Sequence, residues 1–176
     1  ETDDQVWVSY GHKDLFTNAV NYNYFDPDSE HFIDYSLRAI QTITNPSNLA
    51  VAEYIATLFN SDFFELNGQK KFRIVEPGLY FMEKGPSQKL MEYFIKTSFC
   101  SQKEFLEKRC SRQSIHTTMT YVIDSFISAN KVDNYKLKEI PNKLHRFHQL
   151  LRKEKVILLQ NREWATDFFT QEKTTS

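Results

Sequence analysis

Glycine is scarce in this chain of 176 residues. It contains four glycines, Gly11, Gly68, Gly78 and Gly85, where average usage would give about twelve. No two of them lie within six residues of each other, so a dinucleotide-binding fingerprint and a P-loop are both absent. These phosphate sites need bare backbone so that the phosphate can approach closely. We therefore predict no nucleotide cofactor.

Cysteine is rarer still, and long apolar runs are missing. Two cysteines, Cys100 and Cys110, are too few for a disulfide scaffold or a four-thiolate zinc site, and we expect both to be reduced. His145 and His148 lack carboxylate or thiol neighbours at ligand spacing, so no metal site is predicted. No apolar run approaches the roughly 18 residues of a membrane span, and the start lacks a signal-peptide pattern. We therefore expect no membrane partner.

Charge is unevenly divided between the two halves of the chain. The formal net charge is −1, from 22 basic and 23 acidic residues. Residues 1–88 carry 6 Lys/Arg against 13 Asp/Glu, a balance of −7, whereas residues 89–176 carry 16 against 10, a balance of +6. This division has three possible meanings: the halves attract each other, the second half faces an anionic partner, or its basic residues simply form a solvated helical surface.

The sequence of the first half predicts helices followed by a hairpin. Helical spacing of apolar residues predicts one helix over 29–43, and Asn45-Pro46 caps a second helix that runs to about residue 60. Asn67-Gly68, between two alternating segments, is the strongest short signal for a β-hairpin. Helices that precede a hairpin are typical of a winged helix. Its third helix must come from residues 11–26 or from near residue 60, and residues 5–10 are compatible with a short strand.

The second half begins after Gly85-Pro86, a dipeptide that interrupts both helix and strand. Ser87 can cap a helix over 88–98, Ser101 begins a shorter helix, and Ser111 or Arg112 begins a helix that runs to about residue 129. Apolar stripes predict a further helix over 142–154 and a short last helix around 164–169. Residues 135–140 and 156–159 are predicted to be strands. We therefore predict an α+β, mainly helical fold with two winged-helix domains in tandem, residues 1–85 and 86–176.

Three basic surfaces are candidates for binding a nucleic acid or a protein partner. A DNA-reading helix needs basic and amide side chains at base edges and phosphates. A patch of lysine and arginine alone would add affinity without sequence choice, or would meet an acidic protein surface. The candidates are Arg109, Arg112, Gln113 and Thr117 around the helix over 112–129; Lys143, Arg146, Arg152 and Lys153 on the helix over 142–154; and Lys70, Lys71 and Arg73 on the hairpin.

One catalytic arrangement is also compatible with the sequence. Arg109 and Arg112 precede His116 by seven and four residues, which resembles the ribonuclease motif of the HEPN family. There the histidine would act as acid or base and the arginine would stabilise the phosphate. The polar residue that normally follows the arginine is here Cys110 or Gln113, so the match departs from the family pattern.

The order of helices, the Asn67-Gly68 hairpin and the Gly85-Pro86 boundary resemble the C-terminal region of Stn-type subunits. These belong to the telomeric CST complex and are similar to the middle subunit of replication protein A. The wealth of aromatic and asparagine residues is compatible with a ciliate version, the Stn-like subunit of a telomerase holoenzyme. The resemblance covers residues 28–170 and implies a non-enzymatic nuclear module at telomeres, with a Ten-type small subunit, a large CST subunit and polymerase α–primase as partners.

The sequence therefore predicts a non-catalytic tandem winged-helix module that holds other subunits of a telomere or replication complex, with weak nucleic-acid contact. The first alternative is a sequence-specific DNA-binding regulator that uses the helix over 112–129. The second is the HEPN-like ribonuclease.

Overall fold

The computed structural model describes residues 13–22, 25–98, 107 and 110–174. These residues form an α+β fold that is mainly helical, as predicted. The helices are α1 (Leu15–Tyr22), α2 (Tyr35–Arg38), α3 (Pro46–Leu58), α4 (Gln88–Thr97), α5 (Arg112–Ala129) and α6 (His145–Thr174). The strands are β1 (Phe32–Asp34), β2 (Gln41–Thr42), β3 (Ser61–Leu66), β4 (Gln69–Ile74), β5 (Tyr80–Met82) and β6 (Gly85–Pro86). Short 3₁₀ turns cover Val132–Asn134, Leu137–Glu139 and Asn142–Leu144.

The strands pair in two small antiparallel sheets, with the orders β1-β5-β6 and β2-β4-β3. The predicted hairpin is confirmed as β3–β4, in which Phe63 lies opposite Phe72. Its turn places Asn67 at φ 52° and Gly68 at φ 72°. Both residues tolerate the left-handed region, which a two-residue type I′ turn requires at both central positions. This hairpin and β2 form one of the two three-stranded sheets.

Three predicted helix starts are confirmed, each by a side-chain cap. The Asn45 side chain accepts a hydrogen bond from the Asn48 amide at the start of α3. Ser87 accepts from Leu90 at the start of α4, and Ser111 accepts from Ser114 at the start of α5. Each cap satisfies an amide that has no partner within its helix. The further helix predicted from residue 101 and the strand predicted over 5–10 lie outside the described residues.

The predicted helix over 29–43 is wrong, because tertiary pairing overrides its helical spacing. Ile33 lies in β1, fully buried, and pairs with Phe81 of β5. Asp34 then caps the single turn of α2 by accepting from the Ser36 amide, and Gln41–Thr42 pairs with β4. The helices before the hairpin are therefore α1, which falls within the predicted residues 11–26, the one-turn α2, and α3.

The two strands predicted in the second half are also wrong. Residues 135–140 form a bend and a 3₁₀ turn, and residues 156–159 belong to the long helix α6, which absorbs the two predicted helices around them. Val156 and Leu159 are exposed while Ile157 and Leu158 are buried, which is a helical pattern. A short apolar run cannot be assigned to strand or buried helix by periodicity alone. Within residues 87–98 and 110–174 the structure therefore contains no strand.

One cluster of buried side chains includes residues from both halves of the chain. The centre of the Tyr35 ring lies 6.2 Å from that of Phe81, 5.9 Å from that of Phe94 and 6.1 Å from that of Phe126. Helix α6 contacts α1, β1, β5, β6 and α5. Gly85, the predicted domain boundary, is buried in β6 beneath Trp164. The division into residues 1–85 and 86–176 stays a prediction, and any such halves share this core.

Candidate interaction surface

The hairpin carries its basic residues together with exposed aromatic and apolar side chains. Alternation along β3 and β4 places Phe64 on the same face as Lys71 and Arg73, and Phe63 on the opposite face with Lys70. Phe63 is 40 % exposed, and Leu66, beside the turn, is 51 % exposed. The hairpin therefore exposes an apolar side chain on each of its faces, Phe63 opposite the buried Phe72 and Leu66 beside the turn.

Each predicted cation of the hairpin is engaged within the hairpin or with β2. Arg73 donates to Asp62 Oδ2 at 3.1 Å and its guanidinium lies 5.1 Å from the centre of the Phe64 ring. Lys71 Nζ donates to Thr42 Oγ1 at 2.6 Å, and Lys70 Nζ lies 5.4 Å from the centre of the Phe63 ring. Three bases face two acids, Asp62 and Glu65, on the paired strand. This balance favours protein contact over contact with phosphate.

The predicted recognition helix, α5, offers little positive charge on its outer face. Gln113 and Thr117 are exposed, and the Gln113 amide donates to the Thr117 hydroxyl at 3.4 Å. Arg112 is half-buried, and burial lowers the pKa of its guanidinium. Asp124, which would repel phosphate, is paired with Arg162 of α6 at 3.0 Å. Arg109 lies outside the described residues.

The histidine of the ribonuclease motif lies in a packed setting. The His116 ring stacks on Phe169 of α6, with the ring centres 5.0 Å apart. Its Nε2 atom is buried and has no hydrogen-bond partner. A general acid or base must lie within hydrogen-bond reach of its substrate, which this packing restricts. The geometry therefore favours a core role for His116.

The structure divides the predicted basic helix over 142–154. Lys143 precedes α6 in a 3₁₀ turn and is exposed, as are Arg146 and Arg152 on the helix itself. Lys153 is instead paired with Glu83, near β5 in the first half. Together with the Arg38–Glu154 pair, this contact joins the halves. Part of the opposite charge of the two halves is thus neutralised by ion pairs between them.

A cavity of about 600 Å³ opens between α1, α2, α5 and α6. Two buried carboxylates, Asp14 and Glu154, line it on either side of Arg38, which is paired with Glu154. Asp14 also accepts from the Phe16 and Asp34 amides, at 2.8 and 2.7 Å. All three charges are thus satisfied by the fold. The cluster ties α1, α2 and α6 together and presents no reactive group to a ligand.

A second, apolar groove lies beside this cavity and shares Leu151 with it. The groove encloses about 330 Å³ between the 3₁₀ turns and the first two turns of α6. Its lining comprises Val132, Tyr135, Ile140, Leu144, Phe147 and Leu151, with His148 beneath. The groove was not predicted from the sequence, because part of this segment was assigned to a strand. The lysines interleaved with apolar residues between 131 and 147 were the available signal.

Burial also shifts acid–base groups near the centre of the fold. Burial raises the pKa of Asp34, although hydrogen bonds from Ser36 oppose this. It raises the pKa of Tyr35 well above its ordinary value and raises that of Tyr93. Tyr35 is buried, and its hydroxyl donates to that of Tyr93 at 3.4 Å. These shifts arise from packing, and none of the three groups lines the groove.

The expectation of two reduced cysteines is wrong for Cys110, which is disulfide-bonded. Cys100 is the only other cysteine in the sequence and lies outside the described residues. Among the described residues, no group of three or more His, Cys, Asp or Glu side chains is placed to hold a metal ion. No helix in that part of the chain combines the length and apolar character that a membrane crossing requires.

Comparison with protein-family models, with curated proteins and with solved structures found no match to this chain. The resemblance to Stn-type subunits therefore rests on the sequence features alone.

Proposed function

We propose that this chain is a non-catalytic, winged-helix-like module that holds a protein subunit of a telomere or replication complex through its hairpin. The observation that carries the proposal is the pair of exposed apolar side chains on the β3–β4 hairpin, Leu66 beside the turn and Phe63 on the other face, with the nearby cations engaged within the hairpin or with β2. Exposed apolar side chains at such a site supply binding energy when a partner buries them.

The same geometry argues for weak contact with nucleic acid. Phosphate binding draws its affinity from cations that release counterions. Arg73 is already paired with Asp62, and Lys71 donates to Thr42 and Gln69. Binding duplex DNA would have to compete with these contacts. We therefore expect weak duplex binding that fades steeply with salt.

The partners that the Stn-type resemblance implies are a Ten-type small subunit, a large CST-type subunit and polymerase α–primase. The experiment is capture from nuclear extract with the whole chain, compared with two variants. Leu66→Glu places a charge at the hairpin tip, whereas Val51→Glu places one on the exposed face of α3, at similar exposure. We expect the chain and the α3 variant to retain at least one such subunit, and Leu66→Glu to lose about tenfold or more of it.

Two outcomes would overturn the proposal. One is retention that Leu66→Glu and Val51→Glu reduce equally, or that includes none of those subunits. The other is nanomolar, sequence-selective binding of duplex DNA at physiological salt, which would favour the DNA-binding regulator instead.

Location in the nucleus, at telomeres, belongs to the same proposal and has its own test. Thiols in the nucleus are kept reduced, whereas disulfides persist in oxidising compartments. The disulfide at Cys110 therefore weighs against the nuclear part of the proposal. Alkylating the thiols of intact cells before lysis measures the state of this cysteine. The disulfide predicts that Cys110 resists alkylation, so the location itself is tested by imaging the tagged chain, which should lie at telomeres. A chain found only in an oxidising compartment would contradict the nuclear location while leaving the hairpin proposal intact.

A further inference from the structure

The apolar groove between the 3₁₀ turns and the start of α6 has an exposed lining. Tyr135 is 60 % exposed, Leu144 45 % and Phe147 51 %. Leaving several large apolar side chains in water on one surface forgoes the favourable burial of their area. Contiguous exposed apolar surface of this kind marks a site that another molecule covers.

Positive charge surrounds this groove. Residues 131–147 carry five basic side chains and two acidic ones, a balance of +3. Lys136, Lys138 and Lys143 are exposed. One of the two acids, Asp133, is already paired with Lys155 of α6. An occupant that combines apolar side chains with carboxylates would therefore match both the floor of the groove and its rim.

The shape of the groove favours a peptide over a lipid surface or a nucleic acid. A volume of about 330 Å³ accommodates two or three large side chains. A bilayer is met by the convex apolar face of a helix lying in the interface, not by a concave groove. Four of the seven lining residues are aliphatic, which suits apolar side chains better than the stacked bases that single-stranded nucleic acids place on aromatic platforms. An amphipathic helix places its apolar side chains at positions i, i+3 and i+4, which suits such a groove.

We propose that this groove binds an acidic, amphipathic helical segment of a partner protein. The groove lies outside the β3–β4 hairpin, so the inference does not depend on the hairpin proposal. The apolar side chains of the segment would contact Leu144 and Phe147, and its carboxylates would lie near Lys138 and Lys143.

The test measures fluorescence anisotropy of three labelled peptides, each about 15 residues long, with the whole chain. The first has Leu and Phe on one helical face and Glu elsewhere. The second scrambles that sequence so that no apolar face forms, and the third replaces each Glu by Lys. We expect micromolar binding of the first peptide, and at least about tenfold weaker binding of the other two. Raising the salt should weaken binding of the first peptide by screening the rim charges.

Variants then locate the binding. Leu144→Glu and Phe147→Glu should each weaken the first peptide about tenfold or more, whereas Leu159→Glu, at a comparably exposed apolar position farther along α6, should not. Thermal unfolding checks that each variant folds. Because Phe147 also contacts the Phe16 ring, at 6.4 Å between centres, the double variant Lys138→Glu, Lys143→Glu is included. It should weaken the acidic peptide and strengthen the lysine peptide.

The proposal fails if the acidic peptide does not bind, if the scrambled peptide binds equally well, or if Leu159→Glu weakens binding as much as Leu144→Glu. It also fails if vesicles of phosphatidylserine, or a single-stranded oligonucleotide, bind at this groove and displace the peptide.

Discussion

Gly85 lies where β6 passes beneath the indole of Trp164. A Cβ atom at this position would lie 2.7 Å from Cδ1 and 2.9 Å from Cγ of that ring. Its φ of 120° is also a conformation that side chains rarely adopt. Gly68 in the hairpin turn has a φ of 72°, but a Cβ atom added there would meet nothing within 4 Å. A substitution at Gly85 would therefore add both a steric clash and backbone strain, whereas one at Gly68 would add backbone strain alone.

We predict that Gly85→Ala destabilises the protein by about 3 kcal/mol or more, since overpacking adds to backbone strain. Gly68→Ala should cost only about 1 kcal/mol, the strain of a left-handed alanine. Urea unfolding followed by circular dichroism measures both. Equal losses in the two variants would show that Trp164 moves away from the added methyl group at little cost.

At the scale of elements, a single hydroxyl joins β5 to the start of α4. Ser87 Oγ donates to the Gly78 carbonyl at 2.6 Å and accepts from the Tyr80 and Leu90 amides, both at 3.1 Å. Ser111 plays a simpler role at the start of α5, where its Oγ accepts from the Ser114 amide at 3.1 Å on the exposed surface. The two caps differ in how many backbone groups they satisfy.

Ser87→Ala should therefore cost about 2–4 kcal/mol, because it removes a cap and leaves two more backbone groups without a partner. Ser111→Ala should cost about 1 kcal/mol. Ser87→Thr keeps the hydroxyl and should recover most of the loss. Urea unfolding of the three variants gives these differences, and faster hydrogen exchange at the Tyr80 amide should accompany Ser87→Ala alone. Comparable losses for Ser87→Ala and Ser111→Ala would contradict the joining role.

Local signals predicted the elements that depend on local chemistry. The turn at Asn67-Gly68 and the caps at Asn45, Ser87 and Ser111 each involve contacts within about three residues, so they can be read from the sequence. The prediction of a helix over 29–43 was wrong because residues 32–34 pair with β5, which lies far along the chain. The strand predicted over 156–159 failed because a buried helical segment carries the same apolar run.

The surfaces were predicted unevenly for the same reason. Lysines and arginines could be found in the sequence, but the partners that engage them could not, because Glu83 and Lys153 are distant along the chain. The apolar groove depends on the 3₁₀ turns that replace the strand predicted over 135–140. The lining residues could be found in the sequence, but their arrangement around a groove could not be predicted from it.

At the scale of the whole molecule, α6 connects parts of the chain that the sequence places in separate domains. Asn161 is fully buried, and its side-chain amide donates to the Met82 carbonyl at 2.8 Å. Glu154 is paired with Arg38 and accepts from Asn130 at 3.0 Å. Ile157 and Leu158 join the same buried cluster as Phe81. Separating the halves would expose the apolar side chains of this cluster and leave buried polar groups without partners.

We therefore predict that the chain unfolds as one cooperative unit, so that a cavity made in either half weakens both. Ile55→Ala removes buried side-chain volume from α3, and Ile115→Ala does so in α5. Each should cost about 2–5 kcal/mol, whereas Val51→Ala on the exposed face of α3 should cost under about 1 kcal/mol. Hydrogen exchange should show that Ile115→Ala reduces the protection of β4 as much as that of α5. Loss confined to α5, or two separate unfolding transitions, would instead establish the halves as independent domains.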